Sequence, residues 1–209
     1  MNWLAHLYLS TPDIEFKLGN VLADYVKGNM WEGASSTLQL GINCHQKIDI
    51  FTDSHPIVKH SKSRLQKKSH SKGIVMDVFY DHMLSLHWDR FCTTDLRSYL
   101  NQFYADSLNV IEYYPPDIQT FINNLIQRDT LGQYAEFSHV EVALERINNR
   151  LSPIVRQRSS VIDLIPDLKR EYHNLQSDFI EFFPLLIHYV ENEVLDIKKG
   201  AINIRAPKI

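Results

Sequence analysis

Apolar residues recur every three or four positions along almost the whole chain, and sustained two-residue alternation is absent. That period belongs to amphipathic α-helices and leaves little room for a sheet. Only 7 glycines and 8 prolines interrupt 209 residues, so turns are few and elements long. The pattern predicts an all-α fold of about eight to ten helices, over about 2–9, 12–26, 36–51, 54–72, 74–91, 95–112, 116–129, 131–150, 159–173 and 175–199. Thr11-Pro12-Asp13 is a helix start, Asp53 or Ser54 is placed to cap the fourth helix, and Pro184 should kink or divide the last. Without a repeat, a low-complexity stretch or a linker, the chain reads as one domain over 1–209.

Hydrophobic residues make up 44% of the chain, ample for a core. Cys44 and Cys92 form no CxxC pair, which argues against a disulfide framework and for a reducing, cytoplasmic setting. No apolar run is long enough to span a bilayer, and the N-terminal residues lack the pattern of a signal peptide. A net charge of −3 does not suggest nucleic acid as a partner for the chain as a whole.

Histidines and acids concentrate between residues 45 and 82, as His45 with Asp49, Asp53 with His55, and Asp77 with Asp81 and His82. Residues four apart share a helix face, so His45 and Asp49 point one way, as do Asp77 and Asp81. Convergent imidazoles and carboxylates are divalent-metal chemistry. Alternatively, His45 is a buried histidine satisfied by Asp49 one turn on. Asp77 and Asp81 lie among Val75, Met76, Val78, Phe79 and Tyr80. Acids in so apolar a helix need a partner, a proton or a metal. The bland alternative is a solvated stripe. Gly41 heads the His45 stripe and permits close approach of another backbone. Asn20 and Asp24 share a face of the second helix, with Lys27 a turn beyond. They read either as a metal or water-orienting acid with a phosphate-holding lysine, or as a surface ion pair. His6 lies among leucines as a core histidine or a further ligand, and the alternative for Asp53 is that it only caps a helix.

Residues 54–76 carry Lys59, Lys62, Arg64, Lys67, Lys68 and Lys72 and no acid. Six cations in a chain of net charge −3 leave the remainder at about −9. Such a run is usually a solvated face, but a single-sign patch can also steer an anionic partner.

With these residues in view, the chain resembles the acyl carrier protein phosphodiesterases. The likeness rests on Met1-Asn2-Trp3-Leu4-Ala5-His6-Leu7, Leu18-Gly19-Asn20, Ala23-Asp24, Lys27-Gly28, Gly41-Ile42 with His45, and Ile48-Asp49. It continues through Phe51-Thr52-Asp53-Ser54-His55-Pro56, Asp77, Tyr80-Asp81-His82, Leu84 and Trp88. These matches cover about the first 90 residues; the remainder matches in length and helical character. The resemblance implies hydrolysis of the phosphodiester joining 4′-phosphopantetheine to a serine of holo acyl carrier protein. It further implies a divalent metal, manganese first among the candidates, and a fold like that of the HD phosphohydrolases, although the only adjacent pair here is Asp81-His82, in reversed order.

The expectation is therefore a metal site of His6, His45, Asp49, Asp77, Asp81 and His82. Asp24, Lys27, Asp53 and His55 would serve catalysis, and Lys59, Lys62, Arg64, Lys67, Lys68 and Lys72 would dock the acidic carrier. The competing readings are an HD-like hydrolase acting on a nucleotide, and a metal-free helical module that binds an acidic protein.

Overall fold

The computed structural model describes residues 1–26, 30–66 and 69–195, and among these every regular element is helical. The α-helices are α1 (Trp3–Tyr8), α2 (Ile14–Val26), α3 (Ser36–Ser54), α4 (Pro56–Arg64), α5 (Lys72–Leu86), α6 (Trp88–Phe91), α7 (Leu96–Val110), α8 (Pro116–Gln127), α9 (Phe137–Arg150), α10 (Pro153–Ser159), α11 (Ile165–Arg170) and α12 (Tyr172–Tyr189). Short 3₁₀ turns cover Ile111–Tyr113, Gly132–Ala135 and Ile162–Leu164, and a π-helical turn covers Val190–Val194. The all-α expectation holds; the segments outnumber it because short ones such as α6, α10 and α11 stand apart from their neighbours. No helix among the described residues is long and apolar enough to cross a membrane.

Local chemistry sets the helix ends. Asp13 Oδ1 accepts the amides of Glu15 and Phe16 and opens α2. Ser35 Oγ accepts the Leu38 amide and opens α3. Pro56 restricts the residue before it, so His55 is extended at φ −69° and ψ 134° and α3 must stop. His55 Nδ1, rather than Asp53 or Ser54, accepts the Ile57 amide and caps α4. The fourth helix is shorter than expected. It ends at Arg64, because the extended Leu65 turns fully into the core. Gly73 lies in the first turn of α5 instead of closing α4. The last long helix runs undivided through Pro184, where the buried Phe182, Phe183, Leu186 and Ile187 outweigh the lost donor.

Two contacts position the N-terminal half. In the first, α2 and α3 meet backbone to backbone. A Cβ on Gly19 would collide with the Leu38 carbonyl, and one on Gly41 with the Phe16 carbonyl and the Asn20 amide. Only glycine lets both helices approach so closely. In the second, the six-residue α1 has no cap from its own Asn2 side chain. The fully buried Asp81 of α5 accepts the amides of Asn2 (3.3 Å), Leu4 (2.7 Å) and Ala5 (3.2 Å) instead. A carboxylate on the orphan amides of a helix N-terminus is favoured by hydrogen bonding and by the helix dipole. Helix α12 closes the other side, where Asp178 accepts from Ser61 (2.8 Å) and from Arg64 (2.8 and 3.2 Å) of α4.

Gly41→Ala should lower the free energy of unfolding by about 1–3 kcal/mol, the usual range for overpacking. Urea unfolding checks this, and an unchanged midpoint would contradict the close-contact account.

Candidate metal centre

The packing of α1 and α3 on α2 brings two imidazoles face to face. The rings of His6 and His45 stack with centroids 3.8 Å apart and planes 15° apart. Both are held by Asn20, buried on α2. His6 Nδ1 donates to the Asn20 side-chain oxygen at 2.9 Å, and His45 Nδ1 donates to the Asn20 backbone carbonyl at 2.7 Å. The Asn20 amide nitrogen donates to the His6 carbonyl and to Ser10 Oγ, which fixes its oxygen toward the ring. Both rings therefore carry a proton on Nδ1 and present Nε2 to the same point.

That point is lined by acceptors. His6 Nε2 lies 3.2 Å from Asp49 Oδ1, and His45 Nε2 lies 3.1 Å from Asp49 Oδ2 and 3.4 Å from Asp24 Oδ1. His45 Nε2 is buried without a well-formed hydrogen bond. The Met1 amine bridges Asp77 Oδ1 at 3.0 Å and Asp49 Oδ1 at 3.5 Å, which draws Asp77 to the edge of the group. Ring nitrogens facing carboxylate oxygens are unfavourable unless a proton or a cation lies between them. One ligand atom each from His6, His45 and Asp49 lies within 4.8 Å of the others, close enough for one ion. The donor set suits a divalent metal, and Asn20 orients both imidazoles as outer-shell partners do. Asp24 stays three-quarters exposed and opens the group to solvent.

The electrostatics divide the two rings. Burial, then the neighbouring His45, push His6 down to about 4. Burial also pulls on His45, but Asp24 and Asp49 outweigh it and lift that ring to about 9. Asp49 is held far below the ordinary carboxylate range: burial opposes ionisation, and the two imidazoles overcome it. The close contact with the His45 ring lowers Asp24, whereas burial raises Asp77. Burial drives Asp81 up to about 7, against its three amide donors and the Met1 amine.

Other expected residues lie elsewhere. Asp81 holds α1 and is not among the atoms that converge. His82 stands on the adjacent face of α5, with Nδ1 on the Tyr134 carbonyl at 2.6 Å and Nε2 on the Tyr172 hydroxyl at 2.8 Å. Asp53 pairs with Lys62 at 2.6 Å. His55 packs on Phe51 and Phe182 in addition to its capping bond. Of the six cations, Lys59 is exposed, Lys72 is half-buried, Lys62 and Arg64 are paired internally, and Lys67 and Lys68 lie outside the described residues, as does Lys27. Asn20 is legible in the sequence only as a neighbour of Asp24, because nothing local shows that its carbonyl and amide serve two histidines from two other helices.

A helical chain that gathers two stacked imidazoles and three carboxylates from four helices falls in the class of all-α proteins with a histidine–carboxylate centre. The chain belongs to the acyl carrier protein phosphodiesterase family, whose model matches residues 1–186. It is 29% identical to the acyl carrier protein phosphodiesterase of Photorhabdus laumondii over 196 residues, covering 92% of this chain and 96% of that protein. It is 27% identical to those of Serratia proteamaculans and of an Escherichia coli O139:H28 strain, each over 197 residues, 93% of this chain and 100% of the relative. No solved structure matches the chain significantly.

Three outcomes follow from this geometry. Because the folded-state pKa of His45 is raised above 6.5, its proton stabilises the metal-free protein below that pH, and the benefit is lost as pH rises through about 9. A metal must displace that proton, so manganese affinity should rise by up to about tenfold per pH unit toward pH 9. An NMR titration of the ring beside manganese titrations at several pH values tests both, and a His45 that titrates at its ordinary value would contradict them. Asn20→Ala should weaken manganese binding about 10–100-fold while leaving the ligands in place; calorimetry reads this directly. Asp81→Asn should cost about 2–3 kcal/mol of stability by setting an amide against backbone donors, whereas a ligand role would instead abolish metal binding in a protein of unchanged stability.

Proposed function

We propose that this chain hydrolyses the phosphodiester between 4′-phosphopantetheine and a serine of holo acyl carrier protein, releasing the apo carrier and phosphopantetheine. The observation that carries this reading is the convergence of His6, His45 and Asp49, joined by Asp24 and Asp77, in a chain of this family. We assign His6, His45 and Asp49 as ligands of a divalent metal, manganese in the first place. Bound there, such an ion would polarise a phosphoryl oxygen and make water a better nucleophile at neutral pH.

The side chains supply the rest. Asn20 accepts the Nδ1 proton of both imidazoles, which fixes their orientation and turns Nε2 of each toward the ion. Asp24, exposed beside His45, is the carboxylate placed to accept a proton from the attacking water. Water adds to phosphorus and passes a proton to Asp24 as the bond to the serine oxygen breaks, and that oxygen takes up a proton from solvent. Lys62, held by Asp53 and close enough to Asp77 to ease its ionisation, is a cation available to the transferring phosphoryl group. This is a different use from the docking role that its basic run suggests. The exposed Lys59, with Lys67 and Lys68, remains the proposed docking contribution of that run to an acidic carrier. The substrate and the two free cysteines, Cys44 and Cys92, accord with a cytoplasmic setting.

Holo acyl carrier protein incubated with the protein and manganese should lose the mass of one phosphopantetheine, and Asp49→Ala should reduce the conversion to background while the protein stays helical by circular dichroism. An unchanged carrier mass at any manganese concentration would overturn the reading.

A further inference from the structure

A pocket of about 450 Å³, lined in part by immediate chain neighbours of the metal-centre residues, plays no part in the chemistry above. Its floor is aromatic: Phe121 meets Trp3 edge-on at 5.5 Å and Tyr25 at 4.7 Å. Its rim carries Arg128, Arg146 and Arg150, all exposed, and no acid lines it. None of the three arginines makes an ion pair with another described residue. The hollow is thus largely apolar, and its three guanidinium groups are unpaired among the described residues. It suits an extended ligand with apolar groups and hydrogen-bond acceptors on an anionic carrier.

The pocket shares a wall with the centre on two elements. Asn2 and Trp3 line it, and Met1, which precedes them, bridges Asp49 and Asp77 through its amine. Tyr25 lines it, and Asp24 immediately before it reaches His45 Nε2 at 3.4 Å. Asn2 is further held by a side-chain bond to the Tyr134 hydroxyl, so this wall is fixed. Each of these two elements thus carries a residue of the pocket wall next in the chain to a residue of the centre.

We infer that the pocket receives the pantetheine arm of the carrier. This rests on the proposed reaction and adds where the substrate's non-protein half lies. The gem-dimethyl group and any thioester chain pack on Trp3, Phe121 and Tyr25, and the arginines donate to the amide carbonyls of the arm. This places cationic contacts on α9 (Arg146 and Arg150) and at the residue that ends α8 (Arg128), in the half of the chain whose sequence reads only as helical scaffold.

The test is a carrier whose arm ends in a diazirine-bearing acyl group, irradiated with the full-length protein and mapped by mass spectrometry. Adducts on Trp3, Phe121 or Ile147 are expected. Adducts confined to other surfaces, or none above those seen with an arm-less apo carrier, overturn the inference. Crosslinking needs binding but no turnover, so a wild-type protein that fails to release phosphopantetheine yet crosslinks in the pocket refutes the reaction alone. A protein that turns over but crosslinks elsewhere refutes the pocket alone. As a second measure, Ala143→Trp, which fills the pocket, and the exposed Arg146→Glu should each raise KM for the holo carrier about tenfold with manganese affinity unchanged. An unchanged KM in Arg146→Glu, which cannot disturb the core, counts against the pocket even if Ala143→Trp misfolds.

Discussion

The backbone contact between α2 and α3 is the constraint on which the site depends. Gly19 and Gly41 remove the two Cβ atoms that would hold these helices apart, so the Asn20 carbonyl comes within 2.7 Å of His45 Nδ1. The Asn20 side chain faces the other way, to His6 on α1. One residue thus sets the tautomer of both rings, and the stack at 3.8 Å is a consequence. Widening the helix pair would separate ring from carbonyl and release Nδ1. Placing the two imidazoles and packing the two helices are the same geometric problem in this protein.

The second support is electrostatic. An acid as deeply buried as Asp81 survives because three amides at the start of α1 complete its hydrogen bonds. That anchoring fixes where α1 begins, and hence where His6 one turn on and Trp3 on the pocket side both fall. Two residues four apart on α5 therefore do different work: Asp81 positions a helix, while Asp77 joins the charged group through the Met1 amine. Because the stacked rings cannot share positive charge cheaply, His45 keeps the proton and His6 gives it up.

Much of this arrangement is legible in the amino-acid sequence. The four-residue stripe of Gly41, His45 and Asp49 is a property of the helix itself: Gly41 admits α2, and His45 and Asp49 reach the same point. The all-α class follows from the apolar period. What stays hidden depends on contacts between distant segments. Asp77 and Asp81 look equivalent in sequence, and only the N-terminus of α1, some 76–79 residues away, separates them. The run of cations looks like a free surface, yet Arg64 finds Asp178 on α12, 114 residues on. The end of α4 cannot be read from Gly73, because Leu65 is pulled into the core first. The pocket joins Trp3 to Phe121 and Arg146, a juxtaposition with no local signature.

The central claim is that His6 and His45 hold the metal together through Nε2. Pulsed EPR of bound manganese tests it most directly, because ¹⁴N couplings count coordinated imidazoles. Coupling from both rings is expected in the wild-type protein, reduced to one in His6→Gln and in His45→Gln. Manganese bound with no ¹⁴N coupling, or coupling unchanged in both variants, would contradict the claim.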